Sequence, residues 1–200
     1  MQPSPSSSRA LAWLLLLGGV VGTVAALVLT VEKLSLLADS TYVPSCSVNP
    51  VLNCGSIMST EQAAVLGFPN PLIGLAAFPV VAATGAALLA GARMRRWYWL
   101  GLQTGVTLGV LFVGWLVFQS LYRIGALCPY CMVVWAVVIP VFWYVTLANL
   151  REGRLGDRVA SSRFVAWLAR NHAVVLTAVV VLLLSLITQR FWDYWSSLVG

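Results

Sequence analysis

Charge is what this chain most lacks. Of its 200 residues, 12 are Lys or Arg, 6 are Asp or Glu, and a single His stands among them. So few ionisable groups cannot cover a water-exposed globular surface, and six carboxylates with one imidazole leave little material for conventional acid–base catalysis. The shortage of His also leaves its cysteines without the usual nitrogen partners of a zinc knuckle. The net charge of +6 is no nucleic-acid signal, because most of the Arg stands in two short clusters between apolar runs. What the chain has in abundance is apolar residue, 60% of the total, with a mean hydropathy of +0.90. That composition describes an integral membrane protein. Its one concentration of chemistry is four Cys in two pairs, Cys46 with Cys54 and Cys128 with Cys131.

Apolar runs divide the chain. Residues 1–10 are a Ser/Pro-rich tail, expected to be disordered and cytoplasmic. Leu11 to Val31 is an unbroken run of 21 residues, about 31 Å as a helix at ~1.5 Å per residue, enough to cross the hydrocarbon. A signal peptide is the competing reading, but the run exceeds the usual apolar region of about 7–15 residues. Further spans are predicted over Pro71 to Gly91, Trp97 to Leu121, Met132 to Leu150 and Ala173 to Thr188. The expected fold is all-α: a four-helix transmembrane bundle over residues 11–150 and a fifth transmembrane helix within 173–200. A long polar loop over 32–70 and a basic loop over 151–172 connect them. Ser59 with Gln62 reads as a capping box and Gly67 as a stop, predicting a short surface helix between them. Gly101, Gly105 and Gly109 share one helix face, predicted to admit a neighbouring backbone. Gln103 and Gln119 are expected to face protein, Tyr122 to Leu127 to form a loop, and His172 to be solvated.

Basic residues orient the spans. Arg9, Arg93, Arg95, Arg96, Arg151, Arg154, Arg158, Arg163 and Arg170 fall on one side; Lys33, Arg123 and Arg190 fall on the other. Nine against three puts the N-terminus inside and the C-terminus outside. Both Cys pairs then lie on the outer face, where thiols are not held reduced.

Cys128-Pro129-Tyr130-Cys131 stands where a helix should begin, with Pro at its first position and N–H groups that favour a thiolate, expected at Cys131. Taken alone, C-x-x-C also fits a structural disulfide or half a zinc site. A second pair on the same face adds a relay: thiolate exchange passes oxidation between the pairs without a metal. Cys128 and Cys131 are nearest the lipid, where a quinone dissolves, while Cys46 and Cys54 lie on a loop expected to be flexible enough to meet a water-soluble partner.

These residues resemble a family. Cys46-x7-Cys54, Ser59-Thr60, the segment Gly67-Phe68-Pro69-Asn70-Pro71-Leu72-Ile73-Gly74 and Cys128-x-x-Cys131 are similar to the vitamin K epoxide reductase family, its bacterial members above all. The resemblance covers about Leu11 to Leu150. It implies that Cys131 reacts with a quinone, menaquinone in the members most like this chain, and that Cys128 is its disulfide partner. Cys54 is the implied shuttle to Cys128, and Cys46 the acceptor of electrons from outside. Asn70 corresponds to a donor to the quinone oxygen, and Ser59 and Thr60 to a hydroxyl-bearing turn beside Met58. Trp135 stands where the family often has Tyr. Many bacterial members continue into a thioredoxin-like domain. This chain ends at Gly200, so the resemblance implies a separate DsbA-like, thioredoxin-fold partner outside a bacterial cytoplasmic membrane. The rivals are a DsbB-type quinone reductase of unrelated ancestry, a zinc module and a subunit merely braced by disulfides.

Overall fold

The computed structural model describes residues 5–156 and 160–199. Its helices are α1 (Pro5–Ala38), α2 (Cys54–Met58), a 3-10 turn over Glu61–Ala64, α3 (Pro71–Leu89), α4 (Arg96–Phe118), α5 (Pro129–Arg151), α6 (Arg163–Arg170), α7 (His172–Arg190) and α8 (Trp192–Val199). Five segments are long and apolar enough to cross a bilayer: Arg9–Ala38, Pro71–Leu89, Arg96–Ile124, Pro129–Arg151 and His172–Arg190. The expected all-α membrane architecture is the observed one.

Several boundaries and environments differ from the sequence reading. Helix α1 begins at Pro5, so the part of the expected tail from there to Ala10 is helical. Once the apolar run is helical, extending it costs little per residue. Residues 1–4, and Arg158 of the basic loop, lie outside the described residues. The expected loop from Tyr122 is also partly helical, because a π-helical turn over Gln119–Ile124 prolongs α4. It stops at Gly125, whose φ of 72° suits a residue without Cβ. Arg190 on α7 donates to the Leu121 carbonyl at 2.7 Å, satisfying a group that the turn frees. His172 is not simply solvated: its Nδ1 pairs with the Tyr144 hydroxyl at 3.1 Å and its carbonyl accepts from Trp143 Nε1.

Glycine sets how the bundle packs, though not at the residues whose spacing suggests it. An ideal Cβ on Gly85 of α3 would lie 2.3 Å from the Leu16 nitrogen and 2.6 Å from the Ala12 carbonyl oxygen of α1. One on Gly19 of α1 would lie 2.4 Å from the Ala82 nitrogen. Helices α1 and α3 are therefore in backbone contact, a seam that only small residues permit. Beside Gly101 and Gly105 of α4 the same construction meets nothing within 4 Å. That face admits no helix; it lines a cavity.

Helix α5 packs Val137, Val141 and Val145 into the core with Leu15 of α1 and Val106 of α4. At the arginine-bearing end, Gln103 donates to the Thr146 hydroxyl at 2.9 Å and accepts from Asn149 at 2.9 Å, while Asn149 also accepts from Arg154 at 3.0 Å. Arg154 stacks over the Trp99 ring at 4.1 Å. Gln103 thus makes interhelical hydrogen bonds, as expected for a polar side chain within a span.

Candidate functional site

Two short chain segments bring the sulfurs together. Leu127 donates its N–H to the Val51 carbonyl at 2.7 Å, and Asn53 donates to the Leu127 carbonyl at 2.9 Å. This parallel bridge, among the described residues, pairs Leu52, two residues before Cys54, with Leu127, the residue before Cys128. Asn53 then caps α2, its side chain accepting from the Ser56 N–H at 3.0 Å. Pro129 opens α5 with Cys128 as N-cap. Two helix starts face each other as a result, each led by a cysteine.

Cys46 and Cys54 form a disulfide, and Cys128 and Cys131 are free thiols. The Cys54 sulfur lies 3.0 Å from that of Cys128. Cys54 is fully buried, Cys128 is 1% exposed and Cys46 5%. The burial of Cys46 corrects the expectation of a flexible, reachable loop. Cys46 shares a buried cluster with Leu29, Met58, Cys54 and Cys128, which leaves little of it open to solvent. The sulfurs of Cys46, Cys54 and Cys128 lie within 4.8 Å of one another. With two of them joined in a disulfide, that cluster presents one thiol rather than three thiolate ligands.

The helix start acts on a different sulfur from the one its spacing suggests. The Cys131 side chain donates to the Cys128 sulfur and, with the N–H groups of Cys131 and Tyr130, holds the Cys128 thiol below its ordinary value against the opposing effect of burial. Free N–H groups converge on the N-cap position, not on the third helical residue.

The capping box expected at Ser59 and Gln62 does not form. Ser59 ends α2 instead, its hydroxyl donating to the Gly55 carbonyl at 2.9 Å, and it does not line the cavity. Thr60 does line it, with its hydroxyl donating to Ile57. Asn70 binds the overlying turn with both ends of its amide, Nδ2 to the Gln62 carbonyl at 2.7 Å and Oδ1 to the Val65 N–H at 3.1 Å.

The cavity beneath this turn holds about 500 Å³. It runs along α3 and α4 from Cys128 and Cys131 to Tyr98, whose hydroxyl hydrogen-bonds Thr84. Its walls are mainly apolar side chains and glycine, with Trp135 and Met58 among them. Polar groups gather at the cysteine end: Lys33, Thr60, Asn70, Gln119 and Ser120. Lys33, which the sequence reading passed over, donates to the Met58 carbonyl at 2.6 Å and keeps two further N–H donors. Its signal was a lysine close to the end of a span. Gln119 Oε1 is buried without a hydrogen-bond partner among the described residues. An apolar slot with donors such as the Lys33 ammonium and one unpaired acceptor at the same end suits an apolar ligand whose polar rim can both accept and donate hydrogen bonds.

The family model for the Vitamin K epoxide reductase family matches residues 13–146, a stretch that contains all four cysteines. Among curated proteins compared with the chain, none matches.

Proposed function

The chain belongs to the vitamin K epoxide reductase family, and from that premise we propose that it reoxidises a thioredoxin-fold partner and passes the electrons to a membrane quinone. Membership makes it a membrane disulfide oxidoreductase. The partner, the quinone and the residue roles are the finer reading, carried by one observation: Cys54, already bonded to Cys46, lies 3.0 Å from Cys128. A disulfide and a dithiol thus share a contact across which thiolate exchange needs no large movement.

In the reaction proposed, a partner thiolate attacks Cys46 and releases Cys54 as thiolate. Cys54 attacks Cys128 of a Cys128–Cys131 disulfide, releasing Cys131. The partner's second thiol displaces Cys46, and the partner leaves oxidised. Cys46 then attacks Cys54, restoring their bond and freeing Cys128. The Cys128–Cys131 disulfide has become a dithiol, and the partner dithiol a disulfide. A bound quinone, menaquinone by resemblance, supplies the sink for two electrons and two protons. Lys33 and Asn70, each with an N–H left over from its own hydrogen bond, are the donors at hand to hold its oxygen, and Thr60 lines the space beside them. Trp135 and the glycine face of α4 bound the apolar space.

Orientation follows from the arginines at the opposite end of the bundle, which favour a cytoplasmic N-terminus and an outer cysteine site. Val43 and Val48, both 70% exposed, flank Cys46 and suit contact with a partner.

The test is thiol counting. Purified protein, fully reduced and freed of oxygen, is exposed to menaquinone and alkylated with a mass tag. Loss of free thiols within seconds, absent in Cys131→Ala, supports the reading. Four thiols unmoved by quinone overturn it.

A further inference from the structure

Cys46 has to stay beside Cys54 in one step of this relay and move out to a partner in another, so something must hold its loop. The outer end of α1 does. Glu32 is buried, 7% exposed. No Lys or Arg among the described residues forms an ion pair with it. Its carboxylate takes donors from the loop instead: the Ser45 N–H at 3.2 Å to Oε2, the Ser45 hydroxyl to Oε1, and the Tyr42 hydroxyl at 3.0 Å to Oε2. Ser45 immediately precedes Cys46. The next residue of α1, Lys33, reaches the other limb and donates to the Met58 carbonyl at the end of α2, the helix that Cys54 opens. One turn earlier on α1, Leu29 belongs to the same buried cluster as Cys46, Cys54 and Cys128.

We infer that Glu32 is a positioning residue of the relay: its hydrogen bonds to Ser45 and Tyr42 latch the Cys46 loop over Cys54 and Cys128, and so decide how one disulfide is shared among the three sulfurs. The inference rests on the relay proposed above. A buried carboxylate is costly unless its oxygens are satisfied, and here the loop satisfies them. Closing the loop therefore gains charge-assisted hydrogen bonds, and lifting it to expose Cys46 gives them up. With the latch closed, the Cys46 thiolate stays within reach to attack Cys54 and expel Cys128. With the latch weakened, that return is disfavoured and the Cys54–Cys128 bond persists. The exchange conserves electrons: one S–S bond breaks, one forms, and the thiolate changes place.

Cys131→Ala protein isolates this equilibrium, since three cysteines then share one disulfide and neither quinone nor partner is needed. The protein is equilibrated in a glutathione buffer and quenched in acid, and the Cys46–Cys54 and Cys54–Cys128 isomers are quantified by peptide mass mapping. Adding Glu32→Gln is expected to raise the Cys54–Cys128 to Cys46–Cys54 ratio about tenfold, the equivalent of ~1.4 kcal/mol. Ser45→Ala should move it the same way, while Ser45→Thr, which keeps the hydroxyl, stays within about threefold of the parent. Ser45→Ala carries the test where Glu32→Gln fails to fold. A ratio unmoved by Glu32→Gln and Ser45→Ala, in a parent that shows both isomers, overturns the latch alone. A parent that never forms Cys54–Cys128 overturns the relay beneath it as well.

Discussion

Two glycine-to-leucine changes should have opposite consequences, and their contrast tests the assignment of the cavity. A Cβ on Gly105 meets nothing within 4 Å and points from α4 into the space of about 500 Å³. Gly105→Leu therefore disturbs no helix contact, and it removes a Gly from a helix interior, where Gly costs roughly 0.8–1 kcal/mol relative to Ala. Thermal stability in detergent should hold or rise slightly. The added side chain takes space that the proposed quinone would occupy. If a ligand must crowd it at the usual overpacking cost of about 1–3 kcal/mol, apparent quinone affinity falls roughly 5- to 150-fold. Gly85→Leu is the reverse case. Its Cβ would lie 2.3 Å from the Leu16 nitrogen and 2.6 Å from the Ala12 oxygen, both backbone atoms of α1, so α1 and α3 must separate. Loss of folded protein is expected before any question of affinity arises. The assay is anaerobic thiol oxidation against menaquinone concentration, paired with a melting curve for each variant. A folded Gly105→Leu protein with an unchanged quinone KM would refute the placement of the ligand along α4.

Three further outcomes are expected. Cys131→Ala should abolish quinone-dependent thiol oxidation, whereas Cys46→Ala should spare oxidation of a small permeant dithiol and lose that of a protein dithiol; equal losses in both would break the proposed order. Cys128 should become thiolate at a lower pH than an ordinary thiol near ~8.5, because the Cys131 side chain and two helix-start N–H groups stabilise the anion. Its alkylation, followed by peptide mapping, should reach half-maximal rate below that pH and shift upward in Cys131→Ala. Asn149→Leu should lower stability by about 1–3 kcal/mol, since it leaves Gln103 and Arg154 short of a buried partner; a denaturation midpoint within error of the parent would contradict this.

Hydrophobic length made the membrane architecture legible, because a bilayer demands about twenty apolar residues per crossing whatever surrounds them. The chemistry-bearing residues were visible for a similar reason: in a chain with one His and six carboxylates, four cysteines stand out. What the sequence concealed depends on what lies opposite. Gly101, Gly105 and Gly109 share a face, but spacing says nothing of whether a backbone or a cavity meets it, and the close seam runs through Gly19 and Gly85 instead. The pattern Ser59-x-x-Gln62 matches a capping box, yet the loop hydrogen bonds favour a helix starting at Cys54 under Asn53, which leaves Ser59 at its end. The loop of Cys46 looked mobile from its polarity. Its restraint comes from Glu32, thirteen residues before Ser45 in sequence, and local composition cannot reveal that partner.

The seam and the cavity are two sides of one arrangement. Helix α3 is drawn against α1 by glycines that let backbones touch, and α5 packs against both α1 and α4. Between α3 and α4 the bundle is therefore left slack, and that slack is the cavity. Its far end is tied by the Thr84–Tyr98 hydrogen bond and its cysteine end is roofed by the turn that Asn70 holds. The same α1 that fixes α3 also presents Glu32 and Lys33 to the two limbs of the cysteine loop. A shift of α1 along its axis would thus alter the cavity wall and the latch together. By that argument the glycine seam and the cysteine loop are tied together through α1.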